Sequence, residues 1–164
     1  MRFVVIGGHA INSLGLSRIT GDLNLLVPLG SKAKWQELMS KLRYTERQSD
    51  NNFSQFAPSE IAAWPIDLMD TDDSTFGKVF SGAVLRDLGL ATVPVAAPRH
   101  MVLLKLHAMK QAQEHRFAKD YGDVLFLLRH PECGITRDEL RGLCQKYAAE
   151  GLFDRLNADL NGAK

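Results

Sequence analysis

The sequence predicts an α/β (or α+β) fold, a small mixed sheet with helices followed by a helical annex. Three observations carry that prediction. Short apolar runs alternate with helix-period segments through about residue 97. A Gly-Gly pair stands directly between the first apolar run and the first helical segment. Beyond Pro94 the alternation stops and one helical period follows another. The boundaries read from this are 1–97 for an α/β core and 98–164 for a helical annex packed on it.

The elements follow in order. Phe3 to Ile6 is a short apolar run that reads as a buried strand, and Gly7-Gly8 breaks it. Two residues without Cβ let the backbone turn sharply and leave room for a ligand against the main chain. His9 to Leu14 reads as a short helix with Ala10, Ile11 and Leu14 apolar, its first N–H groups pointing into the turn as a phosphate seat. Leu23 to Val27 is the second strand. Its period of two puts Asp22 and Asn24 on one face and Leu23 and Leu25 on the other. Pro28 and Gly30 turn the chain, and Ser31 caps a helix to about Arg43 with Trp35, Leu38, Met39 and Leu42 on one stripe. Residues 44–52 read as a polar loop, and Phe53 and Phe56 as a weak strand ended by Pro58. In the stretch WPIDLMD, residues 64–70, Ile66 and Leu68 alternate with Asp67 and Met69, which is a strand with an acid on one face. Asp70, Asp72 and Asp73 read as a solvated turn, Thr75–Phe80 as a helical turn, and Val84–Val95 as one irregular strand.

Past that point the segments are helical. Pro98 suits a first helical turn, and Met101 to Met109 is apolar nearly all round apart from Lys105. Arg116 to about Arg129 carries Phe117, Tyr121, Val124 and Leu128 on one stripe and Arg116, Asp120 and Asp123 on the other. Pro131 and Gly134 end it. Thr136 with Glu139 has capping-box spacing and opens a helix to about Ala149; a last helix covers 151–160 before a fraying tail.

Composition bounds the function. Apolar residues make up 45% and charged ones 24%, with a net charge of +1, so no broad basic surface points to nucleic acid. Two cysteines, Cys133 and Cys144, make neither a disulfide framework nor a zinc ribbon. No apolar run approaches the roughly 20 residues of a membrane span. The start, MRFVVIGG, is too short in its apolar stretch for a signal peptide, and the expected location is cytoplasmic. No histidine pair shows metal-ligand spacing, and neither G-x-G-x-x-G nor G-K-[ST] is present.

Residues 3–27 resemble the nucleotidyltransferase superfamily that includes DNA polymerase β. That family shows a strand, a Gly-Gly or Gly-Ser turn, a short helix, and an acid-x-acid pair on the next strand. The similarity is closest to the small bacterial abortive-infection toxin type, GG-x-A then R-x-T-x-D-x-D. Here those positions are Gly7, Gly8, Ala10, Arg18, Thr20, Asp22 and, in place of the second acid, Asn24. Lys105 with the spaced pair Asp120 and Asp123 resembles the annex of the same family. Such relatives carry a helix before the first strand, so this copy reads as trimmed there.

The resemblance implies Mg²⁺-dependent transfer of a nucleoside monophosphate from a triphosphate to an acceptor hydroxyl. It assigns Asp22, position 24 and Asp67 to catalysis and metal binding. It assigns Gly7, Gly8, Arg18, Lys105 and Asp120 to the nucleotide, with Asp120 orienting Lys105. The chemistry explains the residue types: negative charge gathers on phosphate oxygens, and two hard cations about 3.5–4 Å apart stabilise it best. Asn24 offers an oxygen but no charge, so one Mg²⁺ is expected rather than two. The acceptor, whether a tRNA, a protein or a small molecule, is left open. The alternative is a catalytically silent relative kept as a binding or regulatory protein, for instance beside an antitoxin partner. Plainer readings stand next to these: Gly7-Gly8 as a turn, His9 packing beside it, Arg18 anchoring Asp22, and Lys105 bridging to Asp120 or Asp123.

Overall fold

The computed structural model describes residues 1–89, 91–110 and 114–162, and it divides the chain into two compact units, Met1–Ala96 and Ala97–Lys164. Leu90, inside the expected strand at 84–95, lies outside the described residues, as do the last two residues of the tail and the His115 side chain.

The first unit is a mixed sheet with three helices. Its strands are β1 (Val4–Ile6), β2 (Leu23–Pro28), β3 (Tyr44–Ser49), β4 (Phe53–Pro58), β5 (Ile66–Thr71), β6 (Val84–Asp87) and β7 (Thr92–Val95). Its helices are α1 (Gly7–Asn12), α2 (Lys32–Lys41) and α3 (Asp73–Ser81). The seven strands among the described residues lie in the order β3-β4-β5-β2-β1-β7-β6. β2 runs antiparallel to β1 and parallel to β5, and β1 runs parallel to β7. The central strands are short and apolar because both faces are covered: Val4, Val5, Ile6, Leu25, Leu26 and Val27 are all buried. Phe3, on the face of Val5, meets Trp35 of α2 edge-on at 6.1 Å between ring centres.

Several expectations are corrected. Residues 44–49 form strand β3 rather than a loop. The strand lies at the sheet edge with all but Tyr44 exposed, so its ladder with β4 holds it where no apolar alternation could announce it. The span 84–95 holds two antiparallel strands, with Gly89 at a φ of +88° in the turn between them. Ser31 holds the N-cap position of α2, but its hydroxyl makes no capping bond; it donates instead to the Pro28 carbonyl at 2.6 Å, beside a short 3₁₀ turn at Leu29–Ser31. Leu42 is exposed instead of completing the α2 stripe.

Asp72 and Asp73 are exposed as expected of a solvated turn, but Asp70 is not. Asp72 caps α3, accepting from the Thr75 N–H at 2.9 Å. Asp70 belongs to β5 and is 4% exposed, on the face opposite Asp67, and neither of its carboxylate oxygens has a hydrogen-bond partner among the described residues. Burial pushes its carboxyl above the usual range; Lys32 opposes that and Asp50 adds to it. A raised folded-state value means that Asp70 favours the folded chain when protonated, and that contribution is lost as pH rises through the raised value. Asp70→Asn is therefore expected to stabilise the protein by about 1 kcal/mol at pH 7. The gain should vanish below the ordinary carboxylate range of pH about 3.8. Thermal denaturation of both proteins across pH checks this, and a variant no more stable at pH 7 than at pH 3 contradicts it.

The second unit is helical: α4 (Pro98–Met109), α5 (Glu114–Arg129), α6 (Arg137–Tyr147) and α7 (Leu152–Gly162). Pro98 stands at the first turn of α4, and Thr136 with Glu139 closes the capping box that opens α6. Met101, Val102, Leu106, Tyr121, Val124, Leu127, Leu140, Cys144 and Leu156 are buried. No helix among the described residues is long and apolar enough to cross a membrane.

Candidate functional site

β1, β2 and β5 bring the expected residues of the first unit to one end of the sheet. β1 ends at Ile6, whose register partner is Asn24 near the start of β2. Asn24 is in turn the partner of Asp67 near the start of β5. Partners across a ladder share a face, so Asn24 and Asp67 project to the same side, and Asp22 joins them two residues before Asn24. Gln55 of β4 is the next partner along, and its Nε2 donates to Asp67 Oδ1 at 3.1 Å.

The glycine turn packs against this row. Gly7 has a φ of +67°, and a Cβ there would meet the Asn24 side chain at 3.0 Å. A Cβ on Gly8 would lie 2.2 Å from Thr20 Oγ1 and 2.7 Å from Thr20 Cβ. The space that the missing side chains leave is thus filled by Asn24 and Thr20, and not by open room for a ligand as the sequence suggested. α1 also begins two residues earlier than expected, at Gly7. Gly8→Ala should then cost about 1–3 kcal/mol, because the atoms it meets sit at the root of a β-branched side chain and cannot swing away. Pairing it with Thr20→Ala should return most of that loss in a thermal denaturation series; no recovery would place the strain elsewhere.

Asp22 is held by neutral donors on both oxygens. Thr20 Oγ1 donates to Oδ1 at 3.2 Å, and Asn24 Nδ2 donates to Oδ2 at 3.0 Å. Two carboxylates at positions 22 and 24 would repel unless a cation lay between them. The asparagine replaces that repulsion with a hydrogen bond, so the pair is satisfied within the chain.

The loop between α1 and β2 is tied down as well. Asn12 Nδ2 donates to the Arg18 carbonyl at 2.8 Å, and the Arg18 N–H donates to Asn12 Oδ1 at 3.3 Å. His9 follows the glycines, its ring 4.3 Å from that of Trp64 between centres. Burial lowers the His9 imidazole below its usual range, with Asp22 opposing and Arg18 adding. Asn12, Gln55 and Trp64 were not among the expected site residues. Asn12 acts through bonds to Arg18, six residues on, and Gln55 through a bond to Asp67 on the neighbouring strand, neither of which any motif announces, whereas Trp64, beside the β5 acid, was visible as an aromatic in a turn.

Lys105 and Asp120 belong to the second unit. Lys105 Nζ lies 2.5 Å from Asp120 Oδ1 and 2.8 Å from Asp123 Oδ2. The lysine thus bridges both acids of α5, the stripe that spacing had put on the polar face, and both are buried. Arg116 Nε is 3.9 Å from Asp120 Oδ2 at the exposed rim.

For a divalent ion the donor set is thin. No group of three or more His, Cys, Asp or Glu among the described residues is arranged to hold a metal. Asp22 and Asp67, with the Asn24 amide oxygen, are the hard oxygens that could hold a divalent ion at this end of the sheet.

No family model matches the chain, and no curated relative does. Solved structures do. An antigenic nucleotidyltransferase-like protein from Paracoccidioides brasiliensis matches with a TM-score of 0.55 and 14% identity, over 98% of this chain and 84% of that one. The antibiotic-resistance factor ANT(2'')-Ia, in complex with adenylyl-2''-tobramycin, matches with a TM-score of 0.57 and 15% identity, over 98% and 87%. The lincosamide antibiotic adenylyltransferase LnuA, lincomycin-bound, matches with a TM-score of 0.51 and 12% identity, over 78% and 86%. At such identities the likeness is one of fold, and the fold is nucleotidyltransferase-like.

Proposed function

We propose that this nucleotidyltransferase-like chain binds a nucleoside triphosphate with one Mg²⁺ at the Gly7–Asp67 end of its sheet. Its transfer of the nucleoside monophosphate to an acceptor hydroxyl is slow. The observation that carries the reading is the row Asp22, Asn24 and Asp67 on one face beside the glycine turn. In transfer the acceptor oxygen bonds to the α-phosphorus, the bond to pyrophosphate breaks, and the hydroxyl proton passes to a base. Asp67 is that base, held in direction by Gln55. Asp22 binds the metal, and Asn24 lends a neutral oxygen. When bound, the ion neutralises charge on the phosphate oxygens. Arg18, fixed through its backbone by Asn12, serves the phosphates, and Gly7-Gly8, whose side-chain space Asn24 and Thr20 fill, reaches them only through its backbone N–H groups. Lys105 belongs to the second unit, where Asp120 orients its ammonium, and is a separate proposal as an anion contact of that unit. The antibiotic-modifying neighbours make a small polyhydroxylated molecule a reasonable first acceptor to try.

A second reading has its own observation. Both Asp22 oxygens are already satisfied by Thr20 and Asn24, an arrangement that suits a silent nucleotide-binding or regulatory protein, with an antitoxin as one kind of partner. Incubation with α-³²P-labelled triphosphate, Mg²⁺ and a panel of hydroxylated acceptors separates the two. Slow labelling that disappears in Asp67→Ala supports an enzyme; retained binding with no labelling supports the silent protein. Labelling unchanged by Asp67→Ala would overturn the assignment of that residue.

A further inference from the structure

Trp64 has no part in the chemistry above, yet it sits at the same end of the sheet. The residue is 48% exposed in the turn that leads into β5, three positions before Asp67. A large aromatic left in water beside a row of site residues calls for an account, because burying it would have been favourable. Its position is held by the backbone rather than by its ring. Tyr44 Oη donates to the Trp64 carbonyl at 3.0 Å, and the neighbouring Pro65 carbonyl accepts from the Leu23 N–H at 2.9 Å, at the head of β2.

Against the indole lies the His9 ring, tilted 41° to it. His9 Nε2 is enclosed and has no hydrogen-bond partner among the described residues. The imidazole thus braces the indole at a tilt, in ring contact rather than in a parallel stack. Two rings thus share one place at this end of the sheet, and Trp64 remains half-exposed there. The segment that supplies the brace, Gly7-Gly8-His9, is the same one that makes the glycine turn. A single ligand lying along that segment would present phosphates to the backbone of the turn and a flat group to the platform.

We propose that the indole of Trp64, braced by His9, is the stacking surface for the nucleobase of the bound triphosphate. The inference rests on the triphosphate reading above and adds a consequence for specificity. Stacking on an aromatic face tolerates any base, since every base has a π-face. No base-edge hydrogen bonding is invoked, so the chain accepts all four common triphosphates, with purines bound more tightly for their larger area.

The protein supplies its own probe. It has two tryptophans, and Trp35 is only 5% exposed, so quenching of the solvent-exposed emission reports Trp64. Calorimetry and fluorescence with Mg²⁺ and either ATP or inorganic tripolyphosphate separate base from phosphate. Both ligands should bind, ATP more tightly, and only ATP should quench. Trp64→Ala should weaken ATP by about tenfold or more and leave tripolyphosphate unchanged, while Trp64→Phe keeps ATP affinity within about threefold. Circular dichroism shows whether each variant is folded, and Trp64→Phe decides the matter if the alanine variant is not: a phenylalanine variant that binds ATP no better than tripolyphosphate overturns the platform. ATP binding untouched in folded Trp64→Ala overturns the platform and leaves the triphosphate reading standing. Quenching by an oligonucleotide but not by ATP would give the surface to a nucleic-acid acceptor and also overturn the inference. If neither ATP nor tripolyphosphate binds, the triphosphate reading itself falls and takes the platform with it.

Discussion

Lys105→Met is expected to cost about 3–5 kcal/mol of stability, the largest loss of any single change considered. The lysine ammonium is the close partner of Asp120 and Asp123, at 2.5 and 2.8 Å, and those acid side chains are 5% and 3% exposed. Removing it leaves two buried carboxylates facing each other's charge. Arg116 cannot compensate: at 3.9 Å and with its side chain largely in water, it contributes little. Urea denaturation followed by circular dichroism gives the loss. Adding Asp120→Asn and Asp123→Asn to the same variant should recover most of it, because a buried ion cluster replaced as a whole costs far less than one broken in part. A Lys105→Met protein within about 1 kcal/mol of the natural one would show that the acids are hydrated, and the structural account of the lysine would fail.

Asn24→Asp should change how the fold responds to Mg²⁺. In the natural chain Asn24 Nδ2 donates to Asp22 Oδ2 at 3.0 Å, and the glycine turn rests on the same side chain. Aspartate removes the hydrogen bond and sets two anions side by side, at a cost of about 1–3 kcal/mol without metal. Magnesium should more than restore that loss, so Tm of the variant rises steeply with Mg²⁺ while Tm of the natural protein rises little. Affinity for Mg²⁺ should increase by at least about tenfold, equivalent to about 1.4 kcal/mol. Faster label transfer alongside tighter metal binding supports an enzyme limited by its metal site. Tighter metal with no transfer supports the silent reading. A variant whose Tm ignores Mg²⁺ would show that position 24 does not face a metal site.

What the sequence made legible was local. Phe3–Ile6, the glycines and the Asp22-x-Asn24 spacing announce a strand, a turn and a strand with two polar groups on one face, and that arrangement is present. The alternation at Ile66–Met69 likewise announced β5. Lys105 was readable as a bridge because an ammonium on an apolar helix has few other choices. The misses have physical causes. β3 has no apolar face, so only its ladder with β4 makes it a strand. Asp70 looked like part of an acidic turn because an unpartnered buried carboxylate is costly and no pattern announces one. Gln55 reaches Asp67 through a register between β4 and β5 that no local spacing encodes. The glycine turn was read as room for a ligand, whereas Thr20 and Asn24 occupy it, and only coordinates show a cradle already filled.

The central claim is that the row of Asp22, Asn24 and Asp67 beside the glycine turn is a Mg²⁺-dependent triphosphate site. Isothermal calorimetry of the natural protein with ATP tests it most directly, in Mg²⁺, in chelator, and with Asp22→Ala. Saturable binding in Mg²⁺ that is lost both in chelator and in the variant is the predicted result. No binding, or binding equally strong in chelator or in Asp22→Ala, would contradict the claim and leave the fold without this site.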